Sequence, residues 1–366
     1  MNFLACLFDK GLKVSIFGES YSKGIGVVLD NFPCGVPVNL KEIEKDLLKR
    51  APSRKRKGST KREENDSFEI ISGVYKGYTT GAPICAIIKN ENSDSSNYER
   101  FKDIIRPSHA DYTAKIRYDS FNDIRGGGNF SGRLTASLVF AGSLCRKALE
   151  RKNVEIFAHI LSIGNVKDLS FDEIDIGEYD FSALEEKSIC AFDDYKIKEM
   201  EKEIEFCERE GDSLGGVVEC CAINMPVGIG SPIFDGIENF IANIVFSIPA
   251  VKGIEFGKGF SFGNMTGSCA NDEWVLDGEV IKTKTNNNGG ILGGISTGMP
   301  IIFRVVFKPT PTILKEQDTV NLKLKRNERV RFSGNFDSCI ATRGVFAVKA
   351  ACSVAILAQF IYQGKF

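Results

Sequence analysis

The sequence predicts an α+β fold with an internal repeat, and two observations carry that reading. GVVLDNFPCG, starting at Gly26, runs from a strand into a proline–glycine turn and then a helical pattern, and GVVECCAINMPVG, starting at Gly216, does the same. Two copies, rather than many, mark a duplicated unit and not a solenoid. The glycine-rich last third carries no Rossmann or Walker fingerprint. Gly257-Lys258-Gly259 lacks the third glycine at the required spacing, which argues against a dinucleotide fold of that type.

The elements follow in order. Val14 to Phe17 reads as a strand running into the tight polar turn Gly18-Glu19-Ser20-Tyr21-Ser22, and Gly26 to Leu29 as its successor. Leu40 to Arg50 is a helical pattern with Asn39 placed to cap it. Phe68 to Ser72 and Pro83 to Lys89 are strands joined through Gly77 and Gly81; Gly132 to Lys152 is a helix and Val154 to Ile163 a strand. The acidic stretch that follows, residues 165 to 195, is expected as a peripheral insertion in a chain forming a single domain over residues 1 to 366. A helix capped by Asp194 carries Ile197, Met200, Ile204 and Cys207 on one face and stops at Gly211. Gly215 to Met225 is a strand, Asp235 to Phe246 a helix, and Ile301 to Phe307 a strand. The last helix, Val345 to Gln363, is apolar on most sides and belongs inside the protein.

Composition narrows the function classes. The 11 cysteines are scattered without a CxxC pair, which implies reduced, buried thiols and a cytoplasmic location. Only two histidines are present, so no zinc-like cluster and no metal is expected. Apolar runs such as Ala350 to Tyr362 are too short to span a bilayer, and MNFLACLFDKGLK lacks the layout of a signal peptide. Net charge is −1, yet basic residues collect in Lys49 to Arg62 and Lys323 to Arg331, and acidic ones between Asp172 and Glu210. A basic run is either a solvated face or a field that draws in an anionic ligand. A near-neutral chain with few aromatics among its basic residues argues against nucleic acid.

The densest chemistry lies in Arg106 to Arg133, RPSHADYTAKIRYDSFNDIRGGGNFSGR. It holds His109, Arg106, Arg125, Arg133 and the triple glycine Gly126-Gly127-Gly128. Glycines let backbone N–H groups turn towards an anion, and the helix after them would add free donors and partial positive charge. A glycine turn before a buried helix gives the same GGG; the crowding of arginine, histidine and aspartate favours an anion site. Gly211-Asp212-Ser213-Leu214-Gly215-Gly216 is similar to a serine-protease loop, but no histidine and acid stand in the expected setting. The carboxylates between Glu199 and Glu210 are a solvated helix face.

Taken together the motifs resemble one family. FGES, REEND, SGVYKGYTTGAP, RPSHADY, DIRGGG, GDSLGG, AVKGIEFGKGF, NNNGGILGGISTG and KPTPTI occur in the order found in chorismate synthases, across nearly the whole chain. The resemblance implies helices sandwiched between antiparallel sheets with a pseudo-two-fold repeat, and a homotetramer. It implies conversion of 5-enolpyruvylshikimate 3-phosphate to chorismate by 1,4-elimination of phosphate, with reduced FMN that undergoes no net redox change. It assigns substrate arginines to Arg50, Arg56, Arg106, Arg133 and Arg343, the first two also meeting NADP where members use NADPH to reduce their own flavin. His109 matches a catalytic histidine that protonates the flavin, and Asp337 an aspartate associated with it during proton abstraction. Flavin positions match Ser131, Ala250, Gly293 and Lys308-Pro309-Thr310-Pro311-Thr312.

The chain departs from the family at several of these places. GESHG has become Gly18 to Ser22 with Tyr21 where a histidine serves as acid to the leaving phosphate. RGGGRSSARE has become RGGGNFSGRL, which puts Asn129 and Phe130 at flavin-facing positions, and GRHDPC has become Gly334-Asn335-Phe336-Asp337-Ser338-Cys339. An acidic position in the last helix is Lys349. General acid help contributes ~10²- to 10⁴-fold, so a weaker acid such as Tyr21 slows turnover without abolishing it. Two readings follow: a divergent active enzyme with weakened flavin binding, or a repurposed homologue that binds a phosphorylated carboxylate without turnover.

Overall fold

The computed structural model describes residues 6–53, 56–60, 64–90, 101–177, 179–334 and 336–366. The first antiparallel sheet is built from β1 (Leu7–Lys10), β2 (Leu12–Gly18), β3 (Gly24–Asp30), β4 (Phe68–Ser72) and β5 (Ile84–Lys89), in the order β1-β2-β3-β5-β4. Between them come α1 (Leu40–Arg50) and, after the sheet, α2 (Asp111–Arg117) and α3 (Thr135–Leu149). The second antiparallel sheet uses β6 (Glu155–Ile163), β7 (Val166–Lys167), β8 (Gly216–Ile223), β9 (Val251–Phe256) and β10 (Ile301–Phe307), in the order β7-β6-β8-β10-β9. Its helices are α4 (Asp194–Arg209), α5 (Ile237–Val245) and α6 (Ala341–Tyr362), and a separate hairpin, β11 (Gln317–Asn321) and β12 (Arg326–Val330), precedes α6.

The two sheets correspond strand for strand. The units β2-β3-α1-β4-β5-α3 and β6-β8-α5-β9-β10-α6 repeat one topology, and the echoed strands β3 and β8 are the central strands of their sheets. The long helices α3 and α6 meet between the sheets, α3 over β3 and α6 over β6 and β8. The fold is therefore the expected α+β sandwich with a pseudo-two-fold repeat.

The α3–α6 contact fixes the geometry of everything else. Gly142 of α3 lies against Ala350 of α6 and the starts of both helices line one cavity, so the helices run in the same direction. They approach closely because residue 142 has no side chain: a Cβ there would fall 2.4 Å from the Ala350 Cα. Nearly all of α3 and α6 is buried in one apolar core with Phe140, Phe240, Phe303 and Phe360. Each such side chain contributes roughly 1.5–3 kcal/mol by leaving water. At 22 residues α6 is long and apolar enough by composition to cross a membrane, longer than the apolar run suggested, yet it is the buried central helix.

Local signals explain most boundaries. Asn39 caps α1, its side chain accepting from Lys41 N–H. The helix expected over Gly132 to Lys152 is α3 extended by single 3₁₀ turns, Gly132–Leu134 and Glu150–Lys152. The cap of α4 is Asp193, not Asp194: its carboxylate accepts from the N–H groups of Tyr195 and Lys196. Residues 165 to 195 sit at the edge of the second sheet, where β7 pairs with β6. Three phenylalanines there are buried: Phe171 and Phe192 close over His159 with ring centroids at 4.8 and 4.3 Å, and Phe181 stacks on Phe157 at 3.9 Å.

Candidate active site

Because α3 and α6 are parallel, their N-termini open on the same cavity, of about 220 Å³. Ser131 and Arg133 enter from the start of α3, Arg343 and Asp337 from the start of α6, Arg50 from the end of α1, and Ser20 and Tyr21 from the β2–β3 turn. Two helix N-termini and three guanidinium groups give the cavity the field of an anion site.

The glycine run shapes its wall by close approach. Gly126, Gly127 and Gly128 have φ of 59°, 87° and 53°, in the left-handed region that favours glycine. A Cβ on Gly126 would fall 2.4 Å from the Tyr21 ring, and one on Gly128 would fall 2.2 Å from the Asp123 carbonyl oxygen. Ser20 N–H donates to Gly128 O at 3.1 Å, which ties the run to the turn. The Gly127 N–H donates to Ile124 O, and close packing accounts for Gly126 and Gly128, whereas Gly127 has open space around it. Arg125 is held at Asp123 through its backbone N–H, Nε and Nη2.

The charged side chains are engaged to different degrees. Arg343 pairs with Asp337 at 2.9 Å and donates from Nε to Arg50 O at 3.0 Å, while Thr60 N–H donates to Asp337 at 2.8 Å. Arg133 donates to Asn90, Lys89 O, Glu64 and Asp66. Arg50 is only 1 % exposed and pairs with Asp66 at 2.6 Å, while its Nε and Nη1 are buried with no hydrogen-bond partner among the described residues. Arg56 lies outside this wall, with its guanidinium 4.6 Å over the Phe346 ring and Nη1 buried without a partner. Burial pulls Arg56 below its ordinary pKa, and nearby Arg343 adds to this.

A second cavity of about 430 Å³ lies on the other side of Tyr21, which lines both. Its walls combine apolar Phe101, Ile104, Ile105, Ile124, Leu322, Phe332 and Phe336 with polar and charged Lys102, Asp103, Arg106, Asp111, Lys115, Ser120, Asn122, Thr312 and Ser333. Arg106 is bound to Asp111 through its backbone N–H, Nε and Nη2 at 2.7–2.9 Å. Burial pushes the Asp111 carboxyl up, but Arg106 outweighs it and holds the group below the usual carboxylate range. His109 lines neither cavity. Its Nε2 is 2.6 Å from the Thr312 hydroxyl, and burial, helped by the charges of Arg106 and Lys308, lowers its pKa to about 4.

The remaining flavin positions are dispersed. Ser131 accepts from Arg133 N–H at 3.2 Å and lies 3.4 Å from the Ser20 hydroxyl. Asn129 faces a third, mainly apolar cavity shared with Ser131, and Phe130 is half-exposed beside Tyr118. Ala250 (φ 73°) accepts from Lys308 N–H, and its neighbours Ile248 and Pro249, rather than Ala250, line the first cavity. Gly293 sits at the turn of the hairpin Ile291–Leu292/Ile295–Ser296 and lines neither of the two main cavities. In the run stiffened by Pro309 and Pro311, Lys308 Nζ donates to Ser108 O at 2.7 Å, and the Thr310 hydroxyl is buried without a partner. Asn335 lies outside the described residues. Ser213, dismissed as a nucleophile, donates its hydroxyl to Thr310 O at 2.6 Å and braces this loop.

The sequence reading assigned no role to Glu64 or Asp66, although both lie in the quoted REEND motif. Nor did it foresee the buried carboxylate of Glu185 between Lys49 and Lys349.

Comparison with known proteins gives one answer throughout. The family model described as chorismate synthase matches residues 12–361. The chorismate synthase of Korarchaeum cryptofilum is 44% identical over 351 residues, covering 96% of both chains. That of Pyrococcus abyssi is 45% identical over 359 residues, again covering 96% of each. A crystal structure of chorismate synthase superposes with a TM-score of 0.73 at 27% identity, covering 96% of this chain and 92% of that one.

Proposed function

The chain belongs to the chorismate synthase family, lyases that convert 5-enolpyruvylshikimate 3-phosphate to chorismate and phosphate, and on that premise we propose a division of labour across Tyr21. The first cavity takes the substrate and the second takes the flavin. The observation that carries this is the convergence of Arg50, Arg133 and Arg343 with two helix N-termini on one cavity, which suits an anionic ligand, and the substrate has two carboxylates and a phosphate. Arg343 and Arg133 contribute charge to the same cavity, and Arg106 adds charge from the second.

The residues present fit FMN. Flat apolar walls of the second cavity, including Phe332 and Phe336, suit an aromatic ring system. Thr312, Arg106 and the Lys308–Thr312 run, with its unpartnered Thr310 hydroxyl, offer donors for a phosphate. Held there, reduced FMN would supply transient electron density to the elimination, with no net redox change. Ser131, Asn129, Phe130, Ala250, Gly293, Pro309, Pro311 and Asn335 are carried over from the family pattern as the rest of its surroundings, and Arg56 with Arg50 as the place where NADPH meets the protein.

Within this division each residue has a task. The elimination breaks a C–H bond at one end of the ring system and a C–O bond to phosphate at the other. Tyr21, on the wall between the cavities, gives its phenolic proton to the leaving phosphate. Asp337, fixed by Arg343 and Thr60 N–H, lines the same cavity and is the aspartate that the family pattern associates with proton abstraction. His109, neutral near pH 7 and bonded to Thr312, holds a proton next to the flavin cavity. The same family reading makes the protein a cytoplasmic homotetramer. Trp274, Leu276, Val280 and Ile281, exposed on the hairpin Trp274–Asp277/Val280–Thr283, are apolar surface of the kind a subunit contact covers.

The test is phosphate release from 5-enolpyruvylshikimate 3-phosphate under anaerobic conditions with chemically reduced, saturating FMN. Release is expected in wild type and is diminished in Tyr21→Phe; binding without release in wild type contradicts the proposal.

A further inference from the structure

The second cavity carries more positive charge than its carboxylates balance. Lys102, Arg106 and Lys115 line it against Asp103 and Asp111. Both oxygens of Asp111 are taken by Arg106, at 2.8 Å from Nε and 2.7 Å from Nη2. Lys115 lies one helical turn beyond Asp111 on the same face of α2, yet its ammonium makes no ion pair or hydrogen bond among the described residues. Its neighbours Tyr112, Thr113, Ile116 and Arg117 are exposed and Ala114 is buried, whereas Lys115 is half-buried. The ammonium therefore belongs to the rim of the cavity, within reach of water and of a ligand.

The chain then folds back onto the same rim. Asp119 and Ser120 have φ of 51° and 67°, two successive residues in a region that side chains other than glycine rarely adopt. That reversal lets the Ser120 N–H donate to Lys115 O at 2.9 Å, and both residues line the cavity. The Ser120 hydroxyl has no partner among the described residues, and its side chain is exposed. Unusual backbone held in place by its surroundings clusters where a ligand is bound. An ammonium and a hydroxyl side by side, accessible and unspent on the protein, suit the oxygens of a phosphate.

We propose that Lys115 and Ser120 bind the phosphate of FMN at the rim of the second cavity, with the ring system lying inward against Phe332 and Phe336. This rests on the reading that the second cavity takes the flavin, and it adds a cation that no carboxylate neutralises to the donors of Arg106 and Thr312. Arg106, held by Asp111, supplies field; Lys115 supplies the direct contact.

Dissociation constants of FMN and riboflavin, read from the change in flavin fluorescence, test the proposal by crossing Lys115→Ala with the loss of the flavin's phosphate. Lys115→Ala weakens FMN about tenfold and riboflavin by less than about twofold. Lys115→Arg keeps the charge and holds FMN affinity within about threefold of wild type. Ser120→Ala weakens FMN alone, by about threefold. An equal loss of both flavins in Lys115→Ala overturns the phosphate contact, because the side chain then serves the ring or the fold. An unchanged FMN affinity overturns it as well. Phe336→Ala tests the cavity separately and is expected to weaken both flavins alike. If it does so while Lys115→Ala weakens neither, the flavin cavity stands and the rim site falls. If Phe336→Ala changes neither, the cavity assignment falls and the proposal with it.

Discussion

Gly142 of α3 lies against Ala350 of α6 so closely that a Cβ at 142 would sit 2.4 Å from both the Cα and the Cβ of Ala350. This contact brings the two repeats together and sets their helix N-termini side by side at the first cavity. Gly142→Val therefore destabilises the protein by about 3 kcal/mol, the upper range for overpacking a core. It also weakens substrate binding, because the helices that frame the cavity are forced apart. Denaturant unfolding and KM check the two effects, and a fully stable Gly142→Val protein would contradict the packing.

Glu185 joins three elements. Its carboxylate is buried between Lys49 of α1 and Lys349 of α6, and although burial alone would raise its pKa, the two ammonium groups hold it down at about 2. Glu185→Gln removes the carboxylate that Lys349 pairs with, leaves Lys49 with only its 3.8 Å contact to Glu186 among the described residues, and costs about 3–5 kcal/mol. The folded pKa is below the ordinary 4.5, so the carboxylate's contribution is present above pH 4.5 and is lost as pH falls towards 2. Melting curves of wild type and Glu185→Gln should converge across that window; a constant gap down to pH 2 contradicts it.

His109 gives a loss of the same sign in a higher pH window. A folded pKa of about 4 against an ordinary 6.5 means that the unfolded chain takes up the proton first. The stability due to neutral His109 is complete above pH 6.5 and falls as pH drops from 6.5 to 4. An NMR titration, with the His109 signals identified by their loss in His109→Gln, should give a midpoint near 4. Thr312→Val removes the 2.6 Å contact and costs about 1 kcal/mol. A midpoint near 6.5 would mean that the imidazole is solvated.

Tyr21 and Gly126 form one unit. Gly126→Ala puts a methyl group 2.4 Å from the tyrosine ring in a backbone conformation with φ of 59°, so it displaces the proposed acid without removing it. Tyr21→Phe is expected to lower kcat ~10²-fold or more, the usual size of general acid help, and Tyr21→His to keep or raise it. Gly126→Ala should lower kcat in the Tyr21 protein and have little further effect on kcat in Tyr21→Phe. Independent losses in the double variant would separate the two residues.

What was legible in the sequence was whatever local pattern or motif order encodes. The central strands β3 and β8 announced the duplication because both pair a GVV run with a proline–glycine turn, and α1 announced itself through Asn39. The hairpin β11–β12 did not, because QDTVN and RNERV lack apolar alternation and are held by pairing with each other. The two cavities were only half legible. Arginines stand out in a sequence, but which of them are spent on protein carboxylates depends on contacts such as Arg133 with Asp66, 67 residues apart in the chain. Lys349 read as a lost acid; the structure pairs it with Glu185 from the acidic stretch, a carboxylate from elsewhere in the chain.

The most direct test of the division across Tyr21 is a crystal structure of the complex with 5-enolpyruvylshikimate 3-phosphate and FMN. The prediction is an anionic group of the substrate among the guanidinium groups of Arg50, Arg133 and Arg343, in the cavity between the N-termini of α3 and α6, and the flavin ring against Phe332 and Phe336. A flavin seated on Arg50, or a substrate seated wholly on the Phe336 side, would contradict it.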